Sequence, residues 1–269
     1  MALQRGRTLV LNRYGRELGA LAVLCAVYKG GRMLRSGDTA SAYRNAHRVW
    51  DLERWLHLPN ELSEQHALLT SHALIRFANT YYAFVHFPAT GAFLLWAFLR
   101  RPQQYPPIRR VMVFATGLGL LIELFFPLAP PRMLDGYGFI DTGAKYGPTV
   151  YSTDSAHAQL INQFGAMPSL HVTWAVMVAA GVIATCRGKW RWLVLLHPTI
   201  TAIVVVGTAN HYWLDGIVSC LILLLVSFVL LRLPPTNFRR VMGLFRRSSQ
   251  PPATLDAEPV GTGSTSRER

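Results

Sequence analysis

Five stretches of mostly apolar residues recur along this chain: Tyr81–Leu99, Val111–Pro127, Leu170–Cys186, Trp192–Thr208 and Tyr212–Leu231. Each approaches the ~20 residues a helix needs to cross a bilayer. In hydrocarbon, backbone polar groups must be satisfied within the segment, which restricts such a chain to helices. A weaker stretch, Leu18–Tyr28, supplies a first span. The expected fold is therefore all-α: an integral membrane six-helix bundle. Between its first two spans, Ala40–Leu58 and Glu61–Phe77 carry apolar residues at helical spacing, including Val49, Trp50, Leu52, Trp55 and Leu56. They read as amphipathic helices lying at the membrane interface.

Composition agrees. Hydrophobic residues make up 51% of the 269 and charged residues only 15%, against roughly a quarter in soluble domains. That excludes a disordered polyelectrolyte. The 27 Lys and Arg outnumber the 14 Asp and Glu, giving a net charge of +13. These cations are divided among loops, without a recognition motif, so nucleic acid is not an expected partner. Arg5, Arg7, Arg13 and Arg16, Arg100, Arg101, Arg109 and Arg110, Arg187, Lys189 and Arg191, and Arg232 to Arg247 occupy one set of connections. The opposite set holds only Arg132 and Lys145 outside the amphipathic region. The positive-inside rule then predicts a plasma-membrane protein with both termini cytoplasmic. The loop 133–167 and the 208–212 turn face the exterior.

Three regions follow: an N-terminal segment, 1–39, with the weak span; a membrane domain, 40–232; and a basic tail, 233–269. From Ser248 the tail is rich in Pro, Ser, Thr and Gly and reads as disordered. Cys25, Cys186 and Cys220 lie in apolar runs and read as small buried hydrophobes.

Polar groups beside apolar spans are costly to keep, so they are candidates for function. Gly165-Ala166-Met167-Pro168-Ser169-Leu170-His171 opens one span. Its free N–H groups and the Ser169 hydroxyl form a natural anion cradle. Asn210-His211-Tyr212-Trp213-Leu214-Asp215 opens the last span. His211 and Asp215, four apart, share a helix face, and a carboxylate on one ring nitrogen leaves the other to attack or accept a proton. Topology brings His171, His211 and Arg132 to one membrane face, with Arg132 suited to stabilise developing phosphoryl charge. One imidazole would attack phosphorus and the other protonate the leaving oxygen; spacing leaves open which does which. His47, His57, His66, His72, His157 and His197 read as ordinary hydrogen-bonding groups, and Glu123 as structural. His86, mid-span, suits either packing or substrate lining. His211 and Asp215 as a zinc pair would lack a third local ligand.

The ordered motifs Pro127-Leu128-Ala129-Pro130-Pro131-Arg132, P-S-L-H at 168–171 and H-x-x-x-D at 211–215 resemble the type-2 phosphatidic acid phosphatase superfamily, over roughly residues 40–232. The similarity is greatest to its branch of inositol phosphorylceramide synthases, the inositolphosphotransferases. The resemblance implies a metal-independent membrane enzyme without cofactor, working through a phosphohistidine. It assigns His211 as nucleophile, Asp215 as its orienting partner and His171 as acid, with Ser169 and Arg132 holding phosphate. Two cations of the phosphatase members are replaced by Phe125 and Val205, and Lys145 or an Arg of the amphipathic region is a candidate substitute. The reading is a lipid phosphatase or head-group phosphotransferase acting on a lipid or polyprenyl phosphate at the outer leaflet. A non-catalytic transporter or lipid-binding scaffold is the alternative; oligomeric state is left open.

Overall fold

The structure is a computed structural model that describes residues 39–148 and 163–232. The weak span Leu18–Tyr28, His157 and the tail from Ser248 lie outside the described residues. Among those described, all regular structure is helical, with one isolated parallel bridge between Leu128 and Gly165. The described residues up to 230 belong to one compact unit; of the second, 231–269, the described part is only the end of the last helix.

Helix α1, Thr39–Trp55, buries Ala42, Ala46, Val49 and Glu53 along one face, at the three-to-four-residue spacing of a helix stripe. Leu52, Trp55 and Leu56 are exposed instead. Helix α2, Glu61–Leu69, is capped by Asn60, whose side chain accepts from the Leu62 N–H at 2.9 Å. The expected single helix Glu61–Phe77 breaks here. Thr70 and Ser71 interrupt it, and its second half continues into the next span as α3, His72–Arg100. A wide π turn occupies Tyr81–Val85 of α3. Pro88 explains it: without an N–H, Pro88 cannot close the ordinary bond to the carbonyl four residues back, and the ladder loosens there.

Helix α4, Tyr105–Phe125, opens on Pro106 and Pro107, where the missing N–H groups cost least. A 3₁₀ turn, Pro131–Met133, and a short helix α5, Thr142–Tyr146, follow. Helix α6, Leu170–Thr185, packs on α3, α4 and α7. Helix α7, Lys189–Gly207, begins as 3₁₀ over Lys189–Leu195 and becomes regular from Leu196. Helix α8, Trp213–Arg232, closes the described chain.

Among the described residues, three helices, α3, α7 and α8, are long and apolar enough to cross a membrane, and α6 is a shorter apolar helix. Their outward faces are apolar too: Phe84, Phe87, Leu95, Leu221, Leu224, Leu225 and Phe228 are all exposed. A helix apolar all round suits hydrocarbon on one side and protein on the other. Small residues bring the helices close. Gly181 of α6 lies against the Phe93 ring of α3, and Gly207 of α7 against Leu68 of α2.

The loop after α4 is tied down by polar contacts. Gln65 exchanges two hydrogen bonds with the Ile140 backbone, each 2.9 Å. Asn79 bonds the Thr142 hydroxyl and carbonyl at 2.9 and 2.8 Å. Helix α1 packs its Ala42, Ala46 and Val49 against Leu128, Ala129, Leu134, Ala166 and Tyr212. Helix α1 and the loop thus form a cover over the starts of α6 and α8.

Candidate active site

The turn between α7 and α8 begins as a helix stop. The Ala209 N–H donates to Val206 O at 2.8 Å and the Asn210 N–H to Val205 O at 3.0 Å, the paired bonds of a Schellman ending. Ala209 takes the left-handed conformation, φ 55°, that glycine usually fills there. This sharp reversal delivers Asn210 and His211 directly to the next helix. The Asp215 side chain reaches back to accept from the Tyr212 N–H at 2.8 Å, half of a capping box. The same Oδ2 lies 3.2 Å from His211 Nδ1.

A second partner fixes the tautomer of His211. Its Nδ1 lies 2.8 Å from the Ala166 carbonyl. A carbonyl only accepts, so Nδ1 carries the hydrogen and, in the neutral ring, the lone pair resides on Nε2. His211, on the turn ahead of α8, is 5% exposed. Burial pulls its pKa down to about 4, opposed by the Ala166 hydrogen bond and reinforced by the Arg132 charge. It is therefore neutral at ordinary pH.

Ser169 caps α6, its hydroxyl accepting from the Val172 N–H at 3.4 Å. Its backbone knits the two helix starts together. The Ser169 N–H donates to Asp215 O at 3.3 Å, and the Ser219 hydroxyl donates to Ser169 O at 2.8 Å. Two residues on, the His171 ring stands 5.9 Å from the His211 ring, centroid to centroid. The π turn of α3 supplies Tyr82, stacked on His171 at 4.4 Å. His86, 1% exposed, lies 4.8 Å from His171 and 5.7 Å from Trp174. Trp174 is held by its bond to the Thr116 hydroxyl, 2.9 Å.

Arg132 is fixed from the side of the turn. Its N–H donates to Ala209 O at 3.0 Å, and its guanidinium donates to Asn210 Oδ1 at 2.8 Å and pairs with Asp141 at 3.3 Å. Its side chain is 3% exposed. All five residues singled out from sequence, Arg132, Ser169, His171, His211 and Asp215, therefore sit in one neighbourhood. Lys145 is exposed, with its ammonium 5.4 Å from the Tyr146 ring centre. Phe125 is exposed and Val205 is buried in the core between α2, α3 and α7. His197 bonds the Tyr81 hydroxyl at 2.6 Å and His47 the Tyr137 hydroxyl at 2.9 Å. Glu123 is buried. Among the described residues, no group of three or more His, Cys, Asp and Glu is arranged to hold a metal ion.

Sequence reasoning missed Glu53 and Glu61. Both are fully buried, although they lie in segments that read as amphipathic surface helices. Glu53 Oε1 accepts from the Leu214 N–H at 2.7 Å, capping the helix that carries the His–Asp pair. Glu61 pairs with Arg54 at 3.0 Å. Burial, and after it the Glu61 carboxylate alongside, pushes Glu53 up to about 9, against the effect of the Leu214 N–H. The available signal was an acidic residue falling in line with Ala42, Ala46 and Val49 rather than on the polar face.

The comparisons with known proteins follow the same residues. Residues 47–230, from α1 into α8, match the PAP2 superfamily. Over 145 residues the chain is 30% identical to the phosphoinositol dihydroceramide synthase of Bacteroides thetaiotaomicron, covering 47% of this chain and 46% of that protein. Over 182 residues it is 25% identical to the inositol phosphorylceramide synthase catalytic subunit aur1 of Schizosaccharomyces pombe, covering 60% of this chain and 42% of that one. The matched part is less than half the length of either curated relative. No solved structure matches. The chain belongs to the PAP2 superfamily, with relatives named as inositol phosphorylceramide synthases.

Proposed function

We propose that this protein is a metal-independent membrane phosphotransferase that moves a phosphate-linked head group from one lipid alcohol to another through a histidine adduct. The observation that carries the reading is the Nδ1–H of His211 held by the Ala166 carbonyl and Asp215. That arrangement leaves Nε2 as a lone-pair donor beside a second imidazole.

Nε2 of His211 attacks the phosphorus of a lipid or polyprenyl phosphoester, and a P–N bond forms. The P–O bond to the lipid alcohol breaks, and His171 gives that oxygen its proton. Asp215 stabilises the positive ring of the adduct, while Arg132 and the first-turn N–H groups behind Ser169 meet the equatorial oxygens. An incoming hydroxyl then gives its proton to His171 as its oxygen attacks phosphorus. The P–N bond breaks and both imidazoles return to their starting state. An alcohol acceptor makes the enzyme a transferase; water makes it a phosphatase. The synthase names of two relatives favour transfer of a phosphoinositol head group to a ceramide-type alcohol. The positive-inside distribution supports placing this chemistry on the face opposite the basic loops, the outer leaflet.

Purified protein incubated with phosphatidylinositol and ceramide, or with phosphatidic acid, in the presence of EDTA tests the proposal. Head-group transfer or phosphate release is expected, lost in His211→Gln. Turnover that needs a divalent metal, or that survives in His211→Gln, would reject the mechanism. An absence of turnover on every lipid phosphate supplied, with lipid still bound, would favour a scaffold.

A further inference from the structure

We infer that the protein has a second anion site, at the opposite end of α6 from His171, that holds the phosphate of an acidic membrane lipid. The distance along the helix from His171 to Thr185 is about 21 Å at 1.5 Å per residue. A cavity of about 630 Å³ opens there, lined by Arg101, Gln104, Thr185, Cys186, Arg187 and Arg191. Three of its seven lining residues, Ala184 being the seventh, are arginines, and no Asp or Glu is among the described residues lining the cavity.

Like charges gathered without a counter-charge repel, so the arrangement is stable only when an anion or high dielectric lies between them. The donors are also not used up. Arg191 spends one nitrogen on the Ile183 and Cys186 carbonyls, 3.3 and 3.2 Å, closing the end of α6. The Nε atoms of Arg191 and Arg101 are shielded within the protein, so the outer guanidinium nitrogens are the ones a ligand in the cavity would meet. A phosphate oxygen supplies acceptors of the kind that guanidinium forks fit.

The surroundings favour a lipid as the source of that phosphate. Arg101 lies 5.8 Å from the Trp96 ring centre and Arg191 5.1 Å from that of Trp192. Trp190, Trp192 and Leu193 are all exposed beside the cavity's end of α7. Tryptophans bracketing basic residues at the end of apolar helices mark head-group depth, and basic pockets between helices at this depth take acidic head groups. Arg187 and Gln104 are exposed at the rim and leave an entry from the interface. The site stands on its own geometry and does not depend on the chemistry at His211.

The test uses the full chain in detergent, with thermal stability read after adding phosphatidylglycerol, phosphatidylcholine or inorganic phosphate alone. Phosphatidylglycerol is expected to raise the melting temperature, phosphatidylcholine to do so much less. Its apparent affinity should fall by on the order of tenfold or more in Arg101→Gln/Arg187→Gln. That variant leaves the Arg191 helix-end bonds intact, so folding is retained, and its unliganded melting temperature checks this. A shift from inorganic phosphate alone, lost in the variant, would support the anion site while replacing the lipid with free phosphate. Equal shifts with phosphatidylcholine, equal affinity in variant and parent, or no shift with any probe would overturn the site.

Discussion

The two ends of α6 gather polar groups in opposite ways. At the Ser169 end, acidic and basic groups are tied to one another and to the backbone across the fold, although Asp215 Oδ1, Glu53 Oε2 and His86 Nδ1 have no hydrogen-bond partner among the described residues. His211 is bonded by Ala166 and Asp215, Arg132 by Asn210 and Asp141, and the start of α8 by Glu53. At the Thr185 end, three arginines line a cavity with no carboxylate among the described residues around it. The first arrangement suits chemistry, because preorganised groups need no rearrangement when charge develops. The second suits reversible binding, because the ligand completes the hydrogen bonds.

The comparison makes quantitative demands. His211→Gln should produce the largest change, a loss of turnover on the order of 10⁴-fold or more, as expected for removing a nucleophile. His171→Gln should cost about 10²–10⁴-fold, the range of one general acid. Arg101→Gln/Arg187→Gln should leave turnover of detergent-solubilised substrate, with no other acidic lipid added, within about twofold, while weakening lipid-dependent stabilisation. A large loss of chemistry in that double variant would erase the distinction between the ends. Turnover assays of the three proteins side by side supply the ranking.

Between the two ends, Gly181→Ala drives a Cβ into the Phe93 ring. It should destabilise the bundle by about 1–3 kcal/mol, read as a lower melting temperature, with activity per folded molecule preserved. An effect spread over pH is expected at Glu53. Its folded pKa, about 9, lies above its ordinary value. The folded protein therefore keeps a proton that the unfolded chain releases, and stability falls as pH rises from the ordinary carboxylate range to about 9. The slope for one proton is at most about 1.4 kcal/mol per pH unit. Glu53→Gln retains an acceptor for the Leu214 N–H and should flatten that slope in melting curves measured between neutral and alkaline pH. Ala209→Gly, which relieves a left-handed alanine, should change stability by less than about 1 kcal/mol.

The helices expected over Leu170–Cys186 and Tyr212–Leu231 match α6 and α8 to within a residue or so at each end. Their boundaries are legible because capping residues and apolar runs agree. The polar cluster was legible as well: helical spacing pairs His211 with Asp215, and alternation of spans brings His171 and Arg132 to the same side. Local pattern gave no access to tertiary partners. The Ala166 carbonyl that sets the His211 tautomer is 45 residues away in sequence, and Glu53 meets Leu214 across 161 residues. Glu53 and Glu61 look like solvated charges on amphipathic helices until the fold buries them. The break at Thr70–Ser71 was hidden because neither residue is Gly or Pro, and apolar periodicity resumes at once. His86, open between packing and lining, is next to His171 because Pro88 loosens α3.

The measurement closest to the central claim is covalent trapping. Protein mixed with a phosphorus-labelled phosphatidylinositol or phosphatidic acid, then quenched in alkali to preserve N-linked phosphate, should carry label on the peptide containing His211. The label should vanish in His211→Gln and accumulate when the acceptor alcohol is withheld. Rapid turnover with no label on any histidine, or label that persists in His211→Gln, would contradict the account.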